Sequence, residues 1–120
     1  MDTDRAPDRF VSMAATERFS AVVRLQDDTT LVMLNGEIDL ATRDSFAGAM
    51  CGLLRPGERV TVDLSGLTLL DGAGVALALR LQQSARELGG DLTVVHAHGM
   101  VARVLEILDP EHTLARAEST

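Results

Sequence analysis

The chain has 120 residues, of which 46 % are hydrophobic, so it is long enough to bury a substantial core as one domain. Its net charge is −7, all eleven basic residues are arginine, and aromatic residues make up only 2 %. The absence of lysine excludes Schiff-base chemistry and a P-loop lysine, and an acidic chain with few aromatics is poorly suited to binding nucleic acid.

The N-terminal third predicts a tail followed by a β-hairpin. Residues 1–16 are polar and without period, so we expect a flexible tail ahead of a domain over residues 17–118. Residues 18–26 alternate and are β-branched, which predicts a strand, and residues 29–38 are its expected hairpin partner. Asp27-Asp28 forms the predicted turn, and Asn35-Gly36 predicts a bend in the second strand.

A helix and a buried strand are predicted next. Asp39 is a suitable N-cap for a helix over LATRDSFAGAMCGLL, which Pro56-Gly57 ends. The apolar residues of that segment recur with helical spacing, at Phe46, Met50, Leu53 and Leu54. Residues 59–65 form a short apolar run, which predicts a buried strand followed by a loop from Ser65 to Asp71.

A long helix is predicted from Gly72 to Gly89-Gly90, with Asp71 as its N-cap. One face of this helix is expected to pack on the sheet, with Leu77, Leu81, Ala85 and Leu88. A neighbouring stripe holds Val75, Ala76 and Leu79. Two interpretations of this stripe stay open: neighbouring elements cover it, or it is a small exposed apolar patch of the kind that binds a partner.

The C-terminal third predicts a strand over residues 91–97, a helix over residues 99–108 ended by Asp109-Pro110, and a possible strand over residues 112–118. The resulting order, β-β-α-β-α-β-α-β, predicts a single α/β domain in which helices pack against a mixed sheet.

Catalytic, metal and nucleotide sites are not supported by the sequence. The fingerprint G-x-G-x-x-G fails because Leu77 stands at its third glycine, and Asp71 would repel a phosphate. The histidines and Cys51 do not form a convergent set of metal ligands, and we expect Cys51 to be a small buried residue. No serine lies in a G-x-S-x-G elbow, so neither an enzyme nor a cofactor is expected.

The segments LNGEIDLAT, VTVDLSGLTLLDGAG, ELGGDLTVVHA and GMVARVLEIL together resemble the STAS domain family, the anti-sigma factor antagonists. The resemblance covers residues 18–118 and implies a mixed sheet of four or five strands with helices packed against it. In that family a helix begins with Asp-Ser-Ser-Gly, and the first serine is a phosphorylation switch. The unphosphorylated antagonist binds a serine kinase that doubles as an anti-sigma factor, and phosphate breaks the complex.

Asp71 and Gly74 match the family motif, whereas Gly72 stands at the acceptor position and Ala73 at the next. The resemblance therefore implies a non-catalytic regulator that lacks the usual phospho-switch. Thr68 and Ser65 are less favoured alternative acceptors, since Thr68 is expected to be a turn residue that bonds to the backbone. The expected partner-binding residues lie in the turns and at the helix start: Asp39, Thr42, Thr68, Asp71, Gly72, Ala73, Gly74, Val75 and Leu79.

The partner implied by the resemblance is an anti-sigma factor with an ATP-binding serine kinase domain. The alternative is a structural role in a larger assembly, beside a transport ATPase or in a homodimer. No segment is apolar enough to insert into a membrane, and the first residues do not form a secretory signal, so we expect a cytoplasmic location. The arginine-only composition favours a bacterial source.

Overall fold

The structure is a computed structural model, and it describes residues 9–15, 17–26 and 29–115. Within these ranges the chain forms five strands and three helices. In chain order they are β1 (Arg9–Ala15), β2 (Phe19–Leu25), β3 (Thr29–Ile38), α1 (Arg43–Cys51), β4 (Arg59–Leu70), α2 (Gly72–Glu87), β5 (Asp91–Val95) and α3 (Gly99–Leu108).

The strands form one mixed sheet in the order β1-β2-β3-β4-β5. The pairs β1–β2 and β2–β3 are antiparallel, whereas β3–β4 and β4–β5 are parallel. The two parallel connections contain α1 and α2, as crossovers between parallel strands require. The predicted α/β domain, with helices packed against a mixed sheet, is confirmed.

The edge strand β1 corrects the prediction of a flexible tail. Residues 9–15 pair with β2, from Arg9 opposite Leu25 to Ala15 opposite Ser20. Without this pairing, the backbone groups on one edge of β2 would lack sheet partners, and a strand of weak apolar pattern is enough to supply them. The prediction is therefore wrong for residues 9–15, while residues 1–8 and 16 lie outside the described residues, as does the predicted Asp27-Asp28 turn.

The core is aliphatic and lies where the helices cover the sheet. Along β2 and β3 buried and half-buried residues alternate, because successive side chains point to opposite faces of the sheet. Phe19 of β2 meets Phe46 of α1 edge to face, with ring centroids 6.3 Å apart. On α2, Gln82 is polar yet buried, and its amide donates to the carbonyl oxygens of Leu92 at 2.8 Å and Thr113 at 2.6 Å.

Strand β4 is longer than the sequence predicts and contains the segment expected to be a loop. It continues from Ser65 to Leu70 because β3 keeps pairing with it, from Asn35 opposite Gly66 to Ile38 opposite Leu70. The register shifts on either side of Asn35-Gly36, so the predicted bend is confirmed as an irregularity in the ladder.

Several element ends also differ from prediction. Strand β5 ends at Val95, while the described part of residues 112–118 contributes only an isolated bridge between Val94 and Ala115. Cys51 is exposed, so the prediction that it is buried is wrong. Helix α3 has the predicted bounds. Among the described residues, no helix is long and apolar enough to cross a membrane.

Candidate functional site

The parallel pairing of β3 and β4 brings Asp39 and Asp71 to the same edge of the sheet. Ile38 and Leu70 are paired residues at the ends of these strands, and each is followed directly by an aspartate. The backbone N–H of Asp71 donates to the carbonyl oxygen of Ile38 at 3.1 Å, which extends the ladder by one bond. The turn after β3 and the start of α2 are therefore neighbours.

Asp71 is the N-cap of α2, as predicted. Its backbone is extended, with φ −89° and ψ 174°, and its Oδ1 accepts the backbone N–H of Gly74 at 2.8 Å. This bond satisfies one of the N–H groups that a helix start leaves without an intrahelical partner. The cap fixes where α2 begins and leaves Gly72 exposed in its first turn.

Asp39 is not the N-cap of α1, and this prediction is wrong. The helix begins four residues later at Arg43, with Thr42 in the N-cap position. Asp39 instead closes a turn, in which its Oδ1 accepts the backbone N–H of Ala41 at 3.0 Å and its carbonyl oxygen accepts the N–H groups of Thr42 and Arg43. The short polar side chain bonds to the backbone two residues on, which is an Asx turn.

Arg18 forms an ion-pair cluster with this turn. Its guanidinium bonds to the Asp39 carboxylate and lies 2.9 Å from Oε1 of Glu37. Desolvation raises the pKa of Asp39, but the bonds from Arg18 and from the backbone of Ala41 outweigh it and hold the pKa below its usual value. Asp39 is therefore an anion whose charge Arg18 neutralises.

Thr42 supports the same turn from the inside. It is buried, and its hydroxyl donates to the carbonyl oxygen of Glu37 at 2.7 Å and accepts the backbone N–H of Asp39 at 3.0 Å. A partner protein cannot reach this side chain in the observed fold. Its contribution to the site is to hold the turn in place.

The start of α2 also divides into buried and exposed positions. Gly74 and Val75 were expected to contact a partner, but both are buried, with Val75 only 1 % exposed. Neither therefore lies on the surface. Leu79 and Ala73 are half-buried, and Leu79 packs against the core. The interpretation in which neighbouring elements cover this stripe is thus correct for Val75 and largely so for Leu79, whereas Ala76 is exposed.

Gly72 and Gly74 differ in the space around them. A Cβ on Gly74 would lie 2.7 Å from Cδ1 of Leu70 and 3.0 Å from Cγ2 of Ile38. A Cβ on Gly72 would meet one neighbouring side chain, at an ordinary contact distance of 3.5 Å from Cδ1 of Leu108. A side chain at position 74 therefore requires the ends of Leu70 and Ile38 to shift, whereas position 72 has room for one.

The two alternative hydroxyls lie on the extended part of β4 and are exposed. The Thr68 hydroxyl donates to the carbonyl oxygen of Gly36 at 3.1 Å, across the β3–β4 pair. The backbone N–H of Ser65 donates to Oδ1 of Asp63 at 2.8 Å, and the Ser65 carbonyl oxygen accepts Nε2 of His98 at 2.9 Å.

The histidines act as local ties between elements. Nδ1 of His96 lies 3.2 Å from Oδ1 of Asp63, and His98 joins the start of α3 to β4 through Ser65. No group of three or more histidine, cysteine or carboxylate side chains in the described part of the chain could hold a metal ion.

Sequence reasoning missed several exposed residues near this edge. Arg18 could not be assigned to the Asp39 turn because 21 positions separate the two residues and only the β2–β3 hairpin brings them together. Leu40 is 76 % exposed in the same turn, although it was placed inside the first predicted helix. Met100, Ile107 and Leu108 of α3 are exposed as well. Their apolar character was visible, but apolar side chains usually indicate a core.

Comparison with known proteins identifies the family of this chain. A family model described as "Mlab, STAS domain" matches residues 21–115. A comparison with curated proteins finds no match.

Solved structures share the fold. An anti-sigma factor antagonist from Mycobacterium paratuberculosis matches with a TM-score of 0.72 at 20 % identity, over 87 % of this chain and 91 % of that one. The phosphorylated form of the Bacillus cell fate determinant SpoIIAA matches with a TM-score of 0.55 at 17 % identity, over 92 % of this chain and 93 % of that one. The murine anion transporter Slc26a9 matches with a TM-score of 0.60 at 13 % identity, over 96 % of this chain but 22 % of the transporter. The family model spans most of the chain, and the folds agree: the chain belongs to the STAS domain family.

Proposed function

We propose that this protein is a non-catalytic regulator that binds an anti-sigma factor with an ATP-binding serine kinase domain, as an anti-sigma factor antagonist does. The observation that carries the proposal is the exposed start of α2 at Gly72, which Asp71 caps and which the pairing of β3 with β4 holds beside the Asp39 turn. The match to the mycobacterial antagonist, with a TM-score of 0.72, supports the same function.

The contact surface in this proposal consists of the residues at this edge that solvent reaches. Gly72 and Thr68 are exposed, and Asp39, Ala73 and Leu79 are half-buried. Thr42, Gly74 and Val75 shape the surface from inside, through the bonds and packing described above. The role of Asp71 is to fix the position of the helix start.

The protein is proposed to lack the usual switch, because position 72 carries no hydroxyl to accept a phosphate. Phosphate adds nearly two negative charges, which disrupt a contact by repulsion and by their desolvation cost. A glycine there leaves the surface permanently able to bind. Thr68 and Ser65 are weaker alternative acceptors, and the Thr68 hydroxyl is already engaged by Gly36.

A regulatory role in the cytoplasm, without catalysis, is part of the same proposal. The two carboxylates at the site already have partners: Asp71 accepts a backbone N–H, and Asp39 bonds to Arg18 and Ala41. Such groups are suited to holding a surface in shape rather than to general acid–base chemistry.

A second candidate function is an accessory subunit in a larger assembly, such as one containing a transport ATPase. The match to Slc26a9 favours it, since the chain aligns with only 22 % of that anion transporter. A STAS fold can therefore form one part of a transport protein. In this role, the glycine at position 72 reflects a surface that is never switched.

Affinity capture from a lysate of the native host, followed by mass spectrometry, distinguishes these functions. The bait is the full chain, compared with Gly72→Glu at the site and Leu88→Glu at the other end of α2 as a matched control. We expect an anti-sigma serine kinase with the wild type and with Leu88→Glu but not with Gly72→Glu. A transport ATPase would support the second function, and recovery of the bait alone would contradict both.

The missing switch is tested with Gly72→Ser and the captured kinase. Position 72 has room for a Cβ, so the substitution should leave the fold intact. We expect ATP-dependent phosphate at position 72 and weaker kinase binding afterwards, while the wild type gains none there. If the kinase binds but leaves position 72 unmodified, it docks in a different orientation from the one proposed.

A further inference from the structure

A cavity of about 370 Å³ lies at the carboxyl end of β5, between α3 and the segment over residues 112–115. Its volume is within the range of small-molecule sites, and open α/β sheets bind ligands in crevices outside the carboxyl ends of their parallel strands. None of the residues that line it belongs to the proposed contact surface at Gly72. The proposed function therefore leaves this cavity without a role.

Two residues that line the cavity have a strained backbone. His96 and His112, with φ of 63° and 57°, are the only non-glycine residues of the described ranges with a left-handed backbone. This conformation costs free energy for L-residues, and residues held in it cluster at ligand sites. The His96 ring bonds to Asp63, and the backbone N–H of His112 donates to the carbonyl oxygen of Asp109 at 2.8 Å. These bonds fix both histidines at the same cavity.

His96 offers a hydrogen-bond acceptor at the cavity. Its Nδ1 lies 3.2 Å from Oδ1 of Asp63, which is not among the residues that line the cavity. An ionised carboxylate only accepts hydrogen bonds, so Nδ1 carries the hydrogen of this bond. In the neutral ring Nε2 is then an acceptor, and no other described residue bonds to it. A ligand that bonds to this nitrogen must therefore donate a hydrogen.

The carboxylates of the cavity make it negative. Glu106 is exposed, and no ion pair or hydrogen bond joins it to another described residue, including Arg103 one turn before it. Desolvation raises the pKa of the buried Asp109, but bonds from the backbone of Leu114 and from Thr113 outweigh it and hold the pKa below its usual value. No arginine is among the described residues that line the cavity. A ligand there must therefore supply the positive charge.

We propose that this cavity binds a small organic ammonium ion, which pairs with Glu106, donates to Nε2 of His96 and packs its apolar part against Leu105 and Leu114. Both leucines line the cavity and form part of its apolar wall. A primary ammonium has three N–H donors, which suits a carboxylate beside an accepting imidazole. In sites of this kind the apolar wall buries the ligand, and a few polar groups fix its orientation. The inference goes beyond the proposed function and does not rest on it.

Three probes with the same five-carbon chain and different head groups test the charge of the ligand. They are n-pentylamine, 1-pentanol and hexanoate. At about pH 8 histidine is ordinarily neutral, whereas an alkylamine is protonated as a lysine side chain is. Each probe is titrated into the isotope-labelled full chain at about 0.15 M salt, where charges beyond about 8 Å are largely screened. The amide chemical shifts, followed by NMR, give both the affinity and the location of binding.

We expect the ammonium ion to shift the amides of residues 94–97 and 112–115 in a saturable way. It should bind at least about fivefold more tightly than pentanol, because its hydrogen bonds to the cavity are charge-assisted. Hexanoate should not bind, since the carboxylates of the cavity repel it.

Two variants test the residues that should hold the ammonium ion. Glu106→Gln removes the charge with little change of shape and should weaken its binding about three- to fivefold. Glu87→Gln is the matched control, since it changes the net charge equally but lies at the end of α2, just before β5 begins. His96→Gly removes the acceptor and should weaken binding about threefold. Glycine adopts φ of 63° without strain, so circular dichroism should show a folded protein.

Equal affinity for the amine and the alcohol would overturn the inference, because the cavity would then be only an apolar cleft. Tighter binding of hexanoate, or a Glu106→Gln variant that binds as Glu87→Gln does, would also overturn it. So would shifts that spread over the protein without saturation, since the net charge of −7 would then account for them. Capture of a kinase or of a transport ATPase bears only on the proposed function, so the two can fail separately.

Discussion

The first turn of α2 has two sides that obey different constraints. On the inner side, Gly74 and Val75 pack beneath the ends of β3 and β4, and a Cβ on Gly74 would crowd Leu70 and Ile38. On the outer side, Gly72 is exposed and would meet only Leu108 at an ordinary distance. The two glycines, although only one residue separates them, are therefore present for different reasons.

The difference shows which part of the motif describes the fold and which describes the function. Glycine at position 74 is explained by close packing, because interiors leave no room for an added methyl group. Glycine at position 72 is not explained by packing, and it lowers helix propensity relative to alanine. The identity of the outer residue is therefore a property of the surface, which is where the proposed contact lies.

The largest effect on this comparison should come from alanine at each glycine. We expect Gly74→Ala to lower the free energy of unfolding by about 1–3 kcal/mol, since the ends of the Leu70 and Ile38 side chains must shift and this cost exceeds the gain in helix propensity. Gly72→Ala should instead raise it by up to about 1 kcal/mol, through helix propensity. Urea unfolding of both variants measures the pair. Equal effects of the two substitutions would show that the inner and outer sides are not distinct.

The buried hydroxyl of Thr42 provides the next test, on the inner side of the Asp39 turn. Thr42→Val keeps the shape but removes a bond to the Glu37 carbonyl and one from the Asp39 N–H. Leaving these groups unsatisfied should lower the free energy of unfolding by about 1–2 kcal/mol. Thr42→Ser, which retains the hydroxyl, is the matched control. A valine variant as stable as the wild type would mean that water replaces the hydroxyl.

The Asp71 cap joins the two sides, and its removal should have a smaller effect. Asp71→Ala loses the bond to the Gly74 N–H and should lower the free energy of unfolding by about 1 kcal/mol. Asp71→Asn should retain most of the stability, since asparagine is an equally good N-cap. Thermal unfolding of both variants provides the measurement. Equal losses would indicate that the charge of Asp71, rather than its hydrogen bond, stabilises the helix.

The elements that the sequence predicted well are those in which local pattern and packing agree. Strand β3 and helix α3 have the predicted bounds, and Asp71 caps α2, as its place directly before the predicted helix indicates. The end of β4 was missed, because pairing with β3, which is remote in sequence, extends it past Ser65. Strand β1 was missed for the same reason: its partner β2, rather than its own pattern, makes it a strand.

The contacts around the proposed site could not be predicted from the sequence. The sequence named Asp39 and Gly72 as candidates, but it could not show that Val75 is buried, because that depends on which elements cover the helix start. Nor could it assign Arg18 to Asp39, or Leu108 to Gly72, since both contacts join elements far apart in sequence. Local spacing predicts caps and helix faces, whereas contacts between elements depend on the register of the sheet and on helix packing.

The smallest effect is expected for the ion pair between Arg18 and Asp39, in the turn beside the start of α2. Arg18 helps to hold the pKa of Asp39 below its usual value. As the pH falls, Asp39 therefore takes up a proton at a higher pH in the unfolded chain than in the folded one. This contribution to stability is present above the ordinary aspartate pKa of about 3.9 and is lost as the pH falls through the folded pKa. In Arg18→Ala we expect the pKa of Asp39 to rise and acid unfolding to begin at a higher pH. Titration of the Asp39 carboxyl by NMR checks this, with Arg59→Ala as control. An unchanged pKa would show that the backbone N–H groups of the turn, rather than Arg18, keep Asp39 ionised.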